Sequence, residues 1–228
     1  IGVKHDKILG YIHKNGPGMF SMCSDLRLVL ATLRDPNVEY TYSLTLMQPF
    51  EPMLASTAYK YDCTTSMKHG FMVEWKYDGE RMLIHKDGDD IKCITRRGND
   101  YTKYYGNILG PMMRKYVHCE KCVLDGEVLP WNDDAKRFGK FGSNQSVAKQ
   151  QLEGKNNKES WLCFVIFDIV WCEHPDQISL SSNEKHRLPK TRGNLTELDL
   201  RTRKEYLHCL ISEKENKFYI GKAQFYEG

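Results

Sequence analysis

At 228 residues, 40% hydrophobic and 28% charged, the chain has room for one large domain or two modest ones with a sizeable core. No apolar run approaches the length of a transmembrane helix: the most hydrophobic stretch, LCFVIFDIVW (162–171), is short and carries Asp168. The net charge of +3 and pI near 8.3 are compatible with a nucleic-acid or nucleotide partner but select neither.

From residue 1 to about residue 34 the apolar spacing is helical: Val3, Ile8, Leu9 and Ile12, then Leu26, Val29, Leu30 and Leu33 after a cap-like Ser24-Asp25. Asp35-Pro36 ends this pattern, and the two prolines of QPFEPMLAS mark a boundary after it. Beyond residue 57 the period shifts toward two. FMVEWKY, RMLIHK, IKCIT, KCVLDGEVLPW, LCFVIFDIVW and KFYIGKAQ read as strands, with Asp87-Gly88 supplying a hairpin turn between the second and third. Two polar stretches, 143–160 and 173–193, hold too few apolar residues to offset the entropy of ordering them and are expected to be exposed and mobile. No internal repeat is visible.

Eight cysteines sit mostly alone inside apolar segments, which points to reduced, packed thiols rather than a disulfide scaffold. Cys119-Glu120-Lys121-Cys122 is a CxxC beside His118, but no second pair completes a four-ligand zinc site.

Lys76 stands at the end of a strand-like run, just before Tyr77-Asp78-Gly79. A lysine there that points into a pocket would be partly desolvated, which lowers its pKa and raises the fraction able to attack an electrophile. Gly79 lets the backbone turn closely, so that Arg81 on the next strand could reach the same pocket and grip a phosphate or ribose. Strand physics alone equally allows a surface hairpin in which Glu74, Lys76, Glu80 and Arg81 form solvated cross-strand pairs.

The spelling EWKYDGER resembles the lysine motif of the covalent nucleotidyltransferases, and its Asp-Gly-Glu-Arg ending is similar to the ATP-dependent DNA ligase branch. EPMLAS resembles the opening of that family's adenylation domain, TRRGNDYT its next motif, VLDGEVL motif III and FVIFDIV motif IIIa, all in the family's order. The run from Met67 to Thr102 is most similar to the end-joining ligases, the ligase IV type, and the helical N-terminus resembles the last helices of their DNA-binding domain.

The resemblance implies an α+β fold: a nucleotidyltransferase core of mainly antiparallel sheets over residues 46–228, preceded by a helical tail of a DNA-binding domain over residues 1–45. It implies that Lys76 attacks the α-phosphate of ATP and holds AMP as a phosphoramidate. Glu74 and the backbone around Trp75 and Tyr77 would contact the adenine, Arg81 and Arg96 the ribose and phosphates, and Phe167 would stack on the base. Glu127 would act at the ribose or as a carboxylate near Mg²⁺, and Lys140 would be a phosphate or ribose contact. Arg97 and Trp75 depart from the family's usual occupants.

The implied parent seals DNA breaks in non-homologous end joining in the nucleus, with an end-joining scaffold protein docked on a C-terminal region and no membrane attachment. The start at Ile1, with no apolar h-region or cleavage site, reads as a piece of a longer intracellular protein, and the resemblance implies that it is truncated before motifs IV and V, without the OB-fold, and weak or inactive by itself. The Glu227-Gly228 pair resembles motif IV only superficially. The competing readings are an mRNA-capping-type guanylyltransferase, which uses the same lysine with GTP, and a catalytically silent DNA- or partner-binding fragment.

Overall fold

A computed structural model describes residues 5–35, 44–55, 57, 67, 70–154, 159–173 and 193–227. The expected N-terminal helices form as α1 (His5–Ile12), α2 (Gly16–Cys23) and α3 (Leu26–Thr32). Asp25 caps α3 through its side chain, accepting from the backbone N–H groups of Arg27 and Leu28 at 2.9 and 3.0 Å, which satisfies two of the donors a helix start leaves open. Leu9, Met19, Cys23, Val29 and Leu33 close a small core of their own.

The six expected segments form β1 (Phe71–Glu74), β2 (Glu80–Asp87), β3 (Asp90–Thr95), β4 (Lys121–Asn132), β6 (Ser160–Cys172) and, from the last, β8 (Phe218–Ile220) and the start of β9 (Ala223–Tyr226); the short β5 (Arg137–Phe138) and β7 (Gly193–Asn194) were not expected. Among the described residues, one sheet runs β3-β2-β4-β6-β7, with β5 added to β4 and β8 to β6; β1 and β9 form a separate two-stranded ribbon. The pairings are antiparallel except β6 with β8. The Asp-Gly turn joins β2 to β3 as expected, with Asp87 opposite Asp90 and Gly88 at φ +59°.

One face of the large sheet is covered by α4 (Thr102–Tyr116), α5 (Asn144–Leu152) and α6 (Leu200–Leu210). Met82, Ile84, Leu124, Phe164 and Ile166 from the strands meet Tyr105, Leu109, Met113, Val147 and Leu207 from the helices in the main core. The opposite face buries Leu83, Ile94, Val123 and Val170 beneath Leu44 and Phe50 at one end. Further along the same face Leu129, Cys163 and Val165 pack with Tyr77 and Phe138 in a smaller cluster, and between the two clusters lie the polar residues described below.

The helix layer corrects the sequence reading, which placed no helices after residue 57 and expected the stretch from residue 143 to be exposed and mobile. α5 is ordered there because Val147 and Ala148 are buried on the sheet, Asn144 Nδ2 donates to Val128 O at 2.8 Å, and Gln151 Oε1 accepts from Leu162 N at 2.8 Å. A few well-placed contacts suffice where the average composition is polar. The second polar stretch lies outside the described residues between 174 and 192.

Candidate functional site

Between these two clusters, a cleft of about 480 Å³ lies among β1, the turn that follows it, β2, β4, the middle of β6 and the β8–β9 connection. Lys76, Glu74, Trp75, Tyr77, Arg81, Arg96, Glu127 and Phe167 all line it. The structure thus gathers into one concavity all but one of the residues singled out from the sequence. Lys140 is the exception: it sits exposed in the loop before α5, where its carbonyl accepts from Ser143 N at 3.2 Å and Ser143 Oγ at 2.6 Å.

Lys76 is at the mouth, not the floor. Its side chain is 89% exposed and its Nζ lies 3.9 Å from Asp78 Oδ1, so the partial desolvation expected from a pocket-buried lysine is not found. The turn after it is held tightly, however. A Cβ on Gly79 would meet Val128 O at 2.4 Å, so only glycine lets this turn lie against β4, and Gly79 N donates to Glu127 Oε1 at 3.1 Å. That single bond ties the lysine-bearing turn to the carboxylate on the neighbouring strand.

The cleft floor is an ion pair. Arg81 makes a bidentate contact with Asp125, Nε to Oδ1 at 3.0 Å and Nη2 to Oδ2 at 2.6 Å, and Nη2 also donates to Met53 O at 2.8 Å. The guanidinium carbon lies 5.2 Å from the centre of the Phe167 ring, over one face. Phe167 is brought into the cleft by an irregularity in β6: register with β4 shifts between Asp125 and Gly126, so that Ile166 pairs with Gly126 and Asp168 with Asp125. Asp168, behind it, is paired with Arg203 of α6 at 2.7 and 2.9 Å.

Burial sets the charges of this floor. It pushes the Asp125 carboxyl up to about 6 despite the Arg81 bonds that oppose the shift, and pushes the Glu127 carboxyl up to about 7 against the pull of Gly79 N–H and Arg81. Tyr77 is raised by burial as well; its ring packs on Phe138 below the lysine turn.

Sequence reasoning missed three residues. Asp125 spells the same motif as Glu127, but its partner is 44 residues away. Lys204, nearly buried on α6, pairs with Glu74 and donates to Phe167 O at 2.5 Å. Lys222 lines the cleft opposite the lysine turn, brought close because the adjacent Gly221 packs against Tyr77, where a Cβ would lie 3.2 Å from the ring. With Glu74 held by Lys204 and Asp125 by Arg81, the lining that remains is rich in cations: Lys76, Arg96 and Lys222. Such a lining suits a polyphosphate with an aromatic base.

Residues 52–227 match the family described as ATP dependent DNA ligase domain. DNA ligase 4 of Arabidopsis thaliana is 31% identical over 193 residues, covering 83% of this chain and 16% of that protein. DNA ligase 4 of Homo sapiens is 31% identical over 179 residues (75% and 19%), and that of Saccharomyces cerevisiae 29% over 231 residues (95% and 22%). The chain therefore spans less than a quarter of the length of these relatives. A solved mycobacterial DNA ligase D complexed with ATP and MES superposes with a TM-score of 0.39 at 16% identity, over 67% of this chain and 39% of that one.

Proposed function

This chain belongs to the ATP-dependent DNA ligase family, and from that premise we propose that its cleft takes ATP, forms a covalent AMP adduct on Lys76, and serves a DNA-end-joining ligase in the nucleus. The observation that carries the reading is the convergence of Lys76, Arg96, Glu127 and Phe167, from four separate segments, on one cleft beside the Arg81–Asp125 pair.

In the adenylation step the Lys76 ammonium first gives up a proton. Its Nζ lone pair then forms the P–N bond to the α-phosphorus as the P–O bond to pyrophosphate breaks. Since Lys76 is exposed at the mouth of the cleft, the water around it is displaced by the nucleotide itself. Arg96 and Lys222 neutralise phosphate charge, and the Phe167 face not covered by Arg81 receives the base. Lys204 holds Glu74 and the Phe167 carbonyl at a fixed spacing, so that the base meets a preformed edge.

Magnesium fits this donor set in one way. Glu127 keeps Oε2 beside the Oε1 that accepts from Gly79, while Asp125 is occupied by Arg81; one carboxylate plus substrate phosphates is the usual holding of Mg²⁺. When bound, the ion supplies charge neutralisation to the phosphate oxygens.

AMP transfer to a DNA 5′-phosphate and attack by the adjacent 3′-hydroxyl would complete ligation in the parent, and an end-joining scaffold protein would hold the parent at the break. The test is sealing of a nicked duplex by the pre-adenylated protein without added ATP. Joined product with release of AMP supports the ligase. An adduct made from GTP but not ATP would indicate the capping-type guanylyltransferase, and DNA binding with no adduct from either nucleotide would indicate a silent binding fragment.

A further inference from the structure

Away from the cleft, at the far end of β4, three cysteines come together from three segments. Cys119 lies in the turn after α4, Cys122 one residue into β4, and Cys172 at the end of β6, directly opposite Cys122 in the strand register. All three are free thiols, and all are buried: Cys119 is 3% exposed and the other two are closed to solvent. Cys119, Cys122 and Cys172 belong to the same buried cluster of the main core.

The turn is fastened around them. Lys86 Nζ, itself buried, donates to Cys119 O at 2.5 Å, Glu120 N donates to Glu173 Oε1 at 2.5 Å, and Glu173 N donates to Lys121 O at 3.0 Å. The neighbouring Cys122 and Cys172 thiols and the Lys86 charge hold the Cys119 thiol well below the usual cysteine range, while its proximity and burial raise Cys122 and Cys172. Two other buried cysteines, Cys93 and Cys163, are shifted upward by burial.

We propose that Cys119, Cys122 and Cys172 form a peroxide-sensitive dithiol–disulfide site, with Cys119 as the attacking sulfur and a strand cysteine as the resolving one. Cys119 thiolate attacks one oxygen of hydrogen peroxide; the O–O bond breaks, giving the sulfenic acid and hydroxide, and the hydroxide takes up the proton that Cys119 released. The Sγ of Cys122 or Cys172 then attacks the sulfenic sulfur, the S–O bond breaks, and water leaves with the thiol proton. Two thiols and one peroxide give one disulfide and two waters, with two electrons passed to the peroxide.

The test exposes the folded chain to hydrogen peroxide, alkylates remaining thiols after unfolding, and maps the peptides by mass spectrometry. The expected result is loss of two hydrogens, a linkage joining Cys119 to Cys122 or Cys172, reversal by dithiothreitol, and formation faster than any change at Cys93 or Cys163. Cys119→Ser removes the linkage. If that variant does not fold, the wild-type map alone decides. Equal persistence of all the buried thiols, oxidation confined to Cys209, or sulfinic acid on Cys119 without a linkage would overturn the proposal.

Discussion

Arg81 and Asp125 meet through two parallel hydrogen bonds, 3.0 and 2.6 Å long, under the ring of Phe167. Because Asp125 is fully buried and Arg81 mostly so, removing one partner strands the other in a medium of low polarity.

Arg81→Met is therefore expected to cost about 3 kcal/mol of stability, since it leaves an unpaired buried carboxyl. The double variant Arg81→Met, Asp125→Leu should recover most of that loss while still failing to adenylate. Urea unfolding of the wild type, both single variants and the double variant gives the coupling directly. Strict additivity would mean that the pair is not the floor's structural tie.

Glu127 makes stability depend on pH. Its carboxyl titrates near 7 in the folded chain but near its ordinary value when unfolded, so between those values the folded state holds more proton. Stability then falls as pH rises through that window and stays lower above it. Glu127→Gln should be more stable than wild type at pH 8, by about 1 kcal/mol once the solvent open to the cleft is counted, with the gain vanishing near pH 4. Thermal melts at the two pH values check it. Asp125, raised to about 6, leaves a smaller slope of the same sign in the variant.

Lys204 is expected to act as a positioning residue. Lys204→Met frees Glu74 and the Phe167 carbonyl, and should raise KM for ATP about tenfold, equivalent to ~1.4 kcal/mol, with a smaller effect on the maximal rate of adduct formation. Lys204→Arg should restore part of the affinity. A fall in rate with unchanged KM, or no rescue by arginine, would reduce Lys204 to packing.

The lysine turn and the strands were legible in the sequence for a physical reason. The nucleophile, its glycine and Arg81 lie within six residues, Lys76 to Arg81, and the long strands β4 and β6, buried on both faces, read as near-continuous apolar runs. The helix layer was not. α6 buries Arg203 and Lys204, which pair with Asp168 and Glu74, so its sequence reads as a solvated surface. α4 carries Pro111 in its interior, and α5 holds its place with amide side chains rather than an apolar stripe. The Arg81–Asp125 pair joins residues far apart in the chain, and no local spacing announces it. Lys140 was placed from RFGKFG, in the loop before α5, and does not line this cleft.

The most direct measurement is nucleotide labelling: α-labelled ATP or GTP with Mg²⁺, applied to this chain and to a version extended through the downstream reading frame, each beside its Lys76→Ala variant. Lys76 is exposed, so the substitution should leave the melting temperature nearly unchanged and any loss of label can be read as chemistry. The account predicts a label from ATP alone that disappears with Lys76→Ala and returns as ATP when pyrophosphate is added. A label that survives Lys76→Ala, or none on either folded and unadenylated chain, would contradict it.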